Sequence, residues 1–161
     1  MATPAVAEDV RIVPGSSERM DEVMAVMDGA FGETFGEAWT RSQLSGILPM
    51  AGVFLMLAID RAEDAVAGFS LFRTVADESE LLLIAVMPDA QRRGIGRLLL
   101  DDFVERARAA RLRRIHLEVR DGNPAIAMYR AAGFSPVGRR RNYYHAVSGN
   151  RYDAITLACE L

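Results

Sequence analysis

The stretch Gln91-Arg92-Arg93-Gly94-Ile95-Gly96-Arg97-Leu98-Leu99-Leu100 decides how the rest of this chain is read. Before it, the apolar run Leu81 to Val86 has the composition of a buried strand. After it, apolar residues recur at helical spacing. Gly94 and Gly96 carry no side chains to block close approach, so backbone N–H groups at a helix start can face an anion, with Arg92, Arg93 and Arg97 around them. That is the physics of a phosphate site. A Walker loop needs lysine and then Ser or Thr after its last glycine, where this chain has Arg97-Leu98. A dinucleotide fingerprint needs a third glycine where Leu99 stands, early in a parallel sheet. A short pyrophosphate turn of the form Gln/Arg-x-x-Gly-x-Gly/Ala fits Gln91 to Gly96 in full.

Outward from the turn, a helix is expected from Ile95 to about Ala110, with Ile95, Leu98, Leu99, Phe103, Val104 and Ala107 on its apolar face. Ile115 to Arg120 alternates as a strand, with Ile115, Leu117 and Val119 on one side and His116, Glu118 and Arg120 on the other. Strand, helix and strand in this order imply a parallel pair. Asn123 and Pro124 suit the start of a short helix that Gly133 ends. Strands then follow over about Ser135 to Tyr144 and Asp153 to Leu161. Upstream, Val10 to Val13 reads as a strand stopped by Pro14 and Gly15. Met20, Val23, Met24, Met27, Ala30 and Phe31 form a helix with a methionine stripe turned to the core. Thr40 and Gln43 make a capping box for a second helix. Val53 to Ile59, Val66 to Thr74 and Leu81 to Val86, joined by polar turns, read as an antiparallel meander with both faces covered.

The length of 161 residues suits a sizeable core, and we expect a flexible stretch over 1–9 and one domain over 10–161. A net charge of −3 gives no global field for nucleic acid and mildly favours a basic partner. Cys159 is the only cysteine and His116 and His145 the only histidines, so neither a disulfide framework nor a metal site is expected. No signal-peptide pattern and no membrane-length apolar run is present, which places the expected protein in the cytoplasm and off the membrane.

Residues 80–134 resemble the coenzyme-A core of the GNAT superfamily of N-acetyltransferases. The resemblance is carried by Ile84-Ala85-Val86, the turn Gln91 to Gly96, Leu117-Glu118-Val119-Arg120, and Tyr129 with Gly133-Phe134. Arg141-Asn142-Tyr143-Tyr144, Asp153-Ala154-Ile155 and Trp39-Thr40 make the chain similar to the RimI-type members, which acetylate the N-terminal alanine of a ribosomal protein. The fold so implied is α/β (α+β), a mostly antiparallel sheet of six to seven strands, splayed at the cofactor strand and flanked by about four helices. The implied donor is acetyl-CoA without a metal. The implied acceptor is a peptide or protein N-terminus, such as that of a basic ribosomal protein, met by a monomer or weak dimer.

The resemblance also assigns roles. Ile84, Ala85 and Val86 would pair with the pantetheine arm and polarise the thioester carbonyl. Arg92, Arg93, Gly94, Ile95, Gly96 and Arg97 would hold the pyrophosphate. Glu118 would be the general base and Tyr129 the general acid, also touching the cofactor. Asn123 would contact the cofactor too, although five residues separate it from Tyr129 where related enzymes have six. Read as residues alone, Glu118 also suits a surface ion pair with Arg120, and Tyr129 a core position. His116 shares the face of Glu118 and is either a proton relay or structural. Tyr143 and Tyr144 are expected to border the acceptor groove or merely to pack. The run Arg139 to Arg141 reads as a solvated strand end, and Cys159 as core. A small amine or a lysine as acceptor, or a coenzyme-A-binding module without transfer, are the alternatives.

Overall fold

The computed structural model describes residues 9–161. Each apolar or alternating run becomes a strand: β1 (Val10–Pro14), β2 (Val53–Asp60), β3 (Ala65–Val75), β4 (Glu78–Val86), β5 (Arg114–Arg120), β6 (Ser135–His145) and β7 (Arg151–Glu160). Among the described residues the α-helices are α1 (Met20–Phe31), α2 (Arg41–Ile47), α3 (Ile95–Ala109) and α4 (Ala125–Ala131). The strands form one sheet in the order β1-β2-β3-β4-β5-β7-β6. Every pairing is antiparallel except β4 with β5. The stretch expected to be flexible, 1–9, lies outside the described residues except for Asp9, whose carbonyl accepts the Arg61 N–H at 2.8 Å.

Side-chain alternation sorts the core onto two faces. Leu55, Leu57 and Ile59 of β2 meet Met20, Val23, Val26 and Met27 of α1 and Leu44 of α2, so the methionine stripe is core. Met56 of the same strand turns to the other face, where Leu100, Phe103 and Val104 of α3 pack against Ile115, Leu117 and Val119 of β5. The buried face of α3 is rotated slightly from the expected one, because Leu100 is fully buried and Leu98 only partly. Each fully buried aliphatic or phenyl side chain in these layers is worth about 1.5–3 kcal/mol over exposure. The capping box forms as read, with Thr40 Oγ1 accepting the Gln43 N–H at 3.1 Å and Gln43 Oε1 accepting the Thr40 N–H at 2.8 Å.

Two departures matter for the site. The polar turn expected between the strands ending at Thr74 and starting at Leu81 is shorter, since Val75 already opposes Glu78. More consequentially, Leu71 opposes Leu83 while Phe72 opposes Leu81, which leaves Leu82 as an unopposed bulge in β4. The extra residue reverses the alternation: Leu81 packs with α3, and Leu83 with α1. A bulge bends its strand and adds twist. The parallel pairing of β4 with β5 accordingly stops at Leu81 and Leu117. Beyond it β4 stays with β3 as far as Val86, and β5 stays with β7 as far as Arg120. The sheet splits into a V there.

Candidate active site

A groove of about 680 Å³ occupies the split. One wall is Leu82 to Val86, whose backbone edge toward β5 has no strand partner among the described residues. The groove runs to the glycine turn, where Gly94 takes a left-handed conformation (φ 80°) as the residue before α3. Helical bonding begins with Leu98 N–H donating to Gly94 O at 3.0 Å, so among the described residues the amides of Ile95, Gly96 and Arg97 have no backbone partner at the positive end of a 15-residue helix. Gln91 ties this turn to the strand through Nε2, which donates to Val86 O at 3.1 Å. Arg92, Gly94, Ile95, Gly96 and Arg97 line the groove. Arg93 turns instead to Asp60, at 3.6 Å. A bare helix start with basic side chains suits a pyrophosphate, and an unpaired strand edge suits an extended chain bearing amides.

Glu118 lines the same groove, and its side chain is only 12% exposed. Thr156 Oγ1 donates to its Oε2 at 2.7 Å, and the Arg140 guanidinium forms an ion pair with it, Nε lying 3.1 Å from Oε1. One hydrogen bond and one ion pair thus hold the carboxylate in place. Tyr129 also lines the groove, on α4, where Phe134 N–H returns to Tyr129 O at 3.1 Å past the positive-φ Gly133. Burial pushes its phenol well above the ordinary tyrosine value, and the charge of Glu37 adds to the effect. Among the described residues its hydroxyl has no hydrogen-bond partner. Tyr144 donates to the Glu118 carbonyl at 3.4 Å, and Tyr143 packs edge-on against it at 5.0 Å. Both border the groove. His116, between Glu80 and Ala158 in the sheet, does not line the groove. Cys159 is partly buried against the α3 core.

The residue that sequence reasoning missed is Glu37. It lies in the glycine-rich bend between α1 and α2, and its side chain is 11% exposed. Arg120 Nε donates to its Oε1 at 3.2 Å and Asn123 Nδ2 to its Oε2 at 3.1 Å. Arg120 therefore pairs with Glu37, not with Glu118, and its guanidinium carbon lies 3.5 Å from the centre of the Phe35 ring. Asn123 stands one residue before Pro124, the N-cap of α4, and its Oδ1 accepts the Ala125 N–H at 2.9 Å, while its amide faces Glu37. Arg140 is exposed, as expected, and also reaches across β7 over the small Ala154 and Thr156 to pair with Glu118. Arg139, in the same run, bridges Asp121 at 2.7 Å and Asp153 at 2.9 Å.

Gly36 seats this bend against β6. Its φ is 72°, and a Cβ on it would collide with the His145 carbonyl oxygen. Gly36→Ala is therefore expected to cost about 1–3 kcal/mol from backbone strain alone, more with the collision. Thermal unfolding checks this, and an unchanged melting temperature would contradict the seating.

The chain matches the acetyltransferase (GNAT) family over residues 20–134. It is 43% identical over 98 residues to a [ribosomal protein bS18]-alanine N-acetyltransferase of Salmonella typhimurium, covering 60% of this chain and 66% of the relative. It is 38% identical over 96 residues to a protein of the same name from Haemophilus influenzae, again covering 60% and 66%. The matched stretch thus spans just under two thirds of these relatives' length. The crystal structure of the ribosomal-protein-S18-alanine N-acetyltransferase from Escherichia coli superposes with a TM-score of 0.84 at 28% identity, over 94% of this chain and 93% of that one.

Proposed function

The chain belongs to the acetyltransferase (GNAT) family, and from that premise we propose that it acetylates the N-terminal α-amine of a protein, with a ribosomal protein's N-terminal alanine as acceptor and acetyl-CoA as donor. One observation carries the reading: the unpaired edge of β4 faces Glu118 and Tyr129 across a single groove. The names of the relatives point to the same acceptor class.

The residues fit the donor. Ile84, Ala85 and Val86 offer their free edge to the pantetheine amides, and Arg92, Arg97 and the amides of Ile95 to Arg97 take the pyrophosphate. Bound there, acetyl-CoA supplies an activated acyl thioester. Glu118 takes a proton from the ammonium, directly or through one water, which frees the lone pair that forms the C–N bond; the nitrogen sheds its second proton as the C–S bond breaks, and both protons leave to solvent. Tyr129 gives its hydroxyl proton to the departing sulfur as the C–S bond breaks, and regains it from solvent. Arg140 and Thr156 fix the carboxylate that receives the proton. Tyr143 and Tyr144 border the acceptor side, which we assign to the peptide. The cytoplasm is the proposed compartment.

The ionisation of the acceptor favours an α-amine. With a pKa near 8 it is roughly a quarter neutral at about pH 7.5, whereas a lysine is neutral only about one part in a thousand. A single carboxylate therefore has far less to do at an N-terminus. Release of free thiol from acetyl-CoA tests the reading: a peptide beginning Ala-Arg is expected to trigger it, and the same peptide blocked at the α-nitrogen is not. Equal release with both peptides, or with neither, would contradict the proposal.

A further inference from the structure

We infer that Glu37 is the positioning residue that holds the strand bearing Glu118 and the helix bearing Tyr129 at a fixed separation, an inference resting on the proposed function. Its carboxylate accepts from both supports, beside the backbone bond that Asn123 N–H makes to Arg120 O at 3.0 Å. Oε1 holds Arg120, which ends β5 two residues after Glu118. Oε2 holds Asn123, which also caps the first turn of α4, the helix of Tyr129. The pair is nearly dry, with Arg120 10% and Glu37 11% exposed at the side chain. Phe35 covers the guanidinium at 3.5 Å and meets Tyr152 edge-on at 5.1 Å. A buried pair of this kind loses heavily when one partner is removed, because the other charge is left uncompensated. Glu37 does not touch the glycine turn or the arginines at the far end of the groove, so its effect falls on the reacting end.

The donor and acceptor pattern of the cluster gives a sharp test. Glu37→Gln leaves one acceptor oxygen for two donors: Arg120 keeps it, and the new amide faces the amide of Asn123. Asn123 can turn over to accept only by giving up the Ala125 N–H that it caps. Asn123→Asp alone sets two carboxylates against each other. In Glu37→Gln with Asn123→Asp the polarity is exchanged and the net charge kept. The carboxylate introduced beside α4 then caps Ala125 and accepts from the amide introduced in the bend.

Four proteins, the wild type, the two single variants and the double, are compared by kcat, by the KM of a peptide beginning Ala-Arg, by calorimetric Kd for coenzyme A and by thermal unfolding. Each single variant is expected to lower kcat on the order of 100-fold, the scale of a reacting group displaced by about 1 Å, and in Glu37→Gln the Kd for coenzyme A is expected to stay unchanged. The double variant is expected to recover most of that loss. Additive losses in the double variant, or a loss of coenzyme A affinity in step with kcat in Glu37→Gln, would overturn the positioning role. The melting temperatures form the same cycle without any acceptor. If the wild-type protein acetylates nothing, the proposed function fails, while non-additive melting still supports the bridge and additive melting removes it.

Discussion

Glu118→Gln is expected to lower kcat by about 10²–10⁴-fold, the usual worth of a positioned general base. The amide keeps the size of the side chain and one acceptor oxygen, so the change should spare the fold. The ion pair lost has its Arg140 side chain 61% exposed, and solvent screening holds such a pair to about 1 kcal/mol or less. The rate loss thus exceeds anything that destabilisation can produce. Its dependence on pH carries more information. Without a base, turnover relies on the fraction of amine that is already neutral, which grows as pH rises through about 8. The gap between wild type and variant is therefore expected to narrow above that pH. Initial rates from about pH 6 to 10 check it, and a constant gap would assign Glu118 to structure.

Tyr129→Phe is expected to lower kcat by about 10²-fold or more, because the leaving sulfur loses its proton donor. Stability should not follow. The ring is buried while the hydroxyl opens on the groove and makes no hydrogen bond among the described residues, so its removal leaves no buried group unpaired and should change stability by about 1 kcal/mol or less. Burial first and Glu37 second raise the pKa of this phenol. A raised pKa keeps the proton on, so the acid form persists through the whole range below the ordinary tyrosine value of about 10. The wild-type enzyme should show no alkaline decline attributable to Tyr129 until pH passes that value. Melting curves and a pH–rate profile check both parts. A variant that loses stability and keeps its kcat would place Tyr129 in the core alone.

What is legible in the sequence depends on how local its cause is. The capping box of Thr40 and Gln43 closes within four residues, and the glycine turn needs only a left-handed Gly94 and the start of a helix. Both can be read directly. Alternation in β5 puts Glu118 on the open face, as the structure has it, but cannot say which partner Glu118 meets. The bulge at Leu82 is invisible because Leu81 to Val86 is apolar throughout, so a change of phase leaves no mark in the pattern. Yet that bulge is where the sheet splits. Glu37 is hidden for the opposite reason. It stands in an irregular bend, and its partners Arg120 and Asn123 are 83 and 86 residues away, joined to it only by the finished fold. Arg140 escapes a sequence reading because the register of β6 on β7, with small Ala154 and Thr156 beneath it, decides its reach.

The most direct test is the position of the transferred group. A peptide beginning Ala-Arg and carrying an internal lysine is incubated with the protein and acetyl-CoA, and fragment masses then locate the acetyl group. Acetyl on the α-nitrogen of the alanine, with the lysine untouched, is the expected result. Acetyl on the lysine, or an unmodified peptide, would contradict an N-terminal acetyltransferase built on Glu118 and Tyr129.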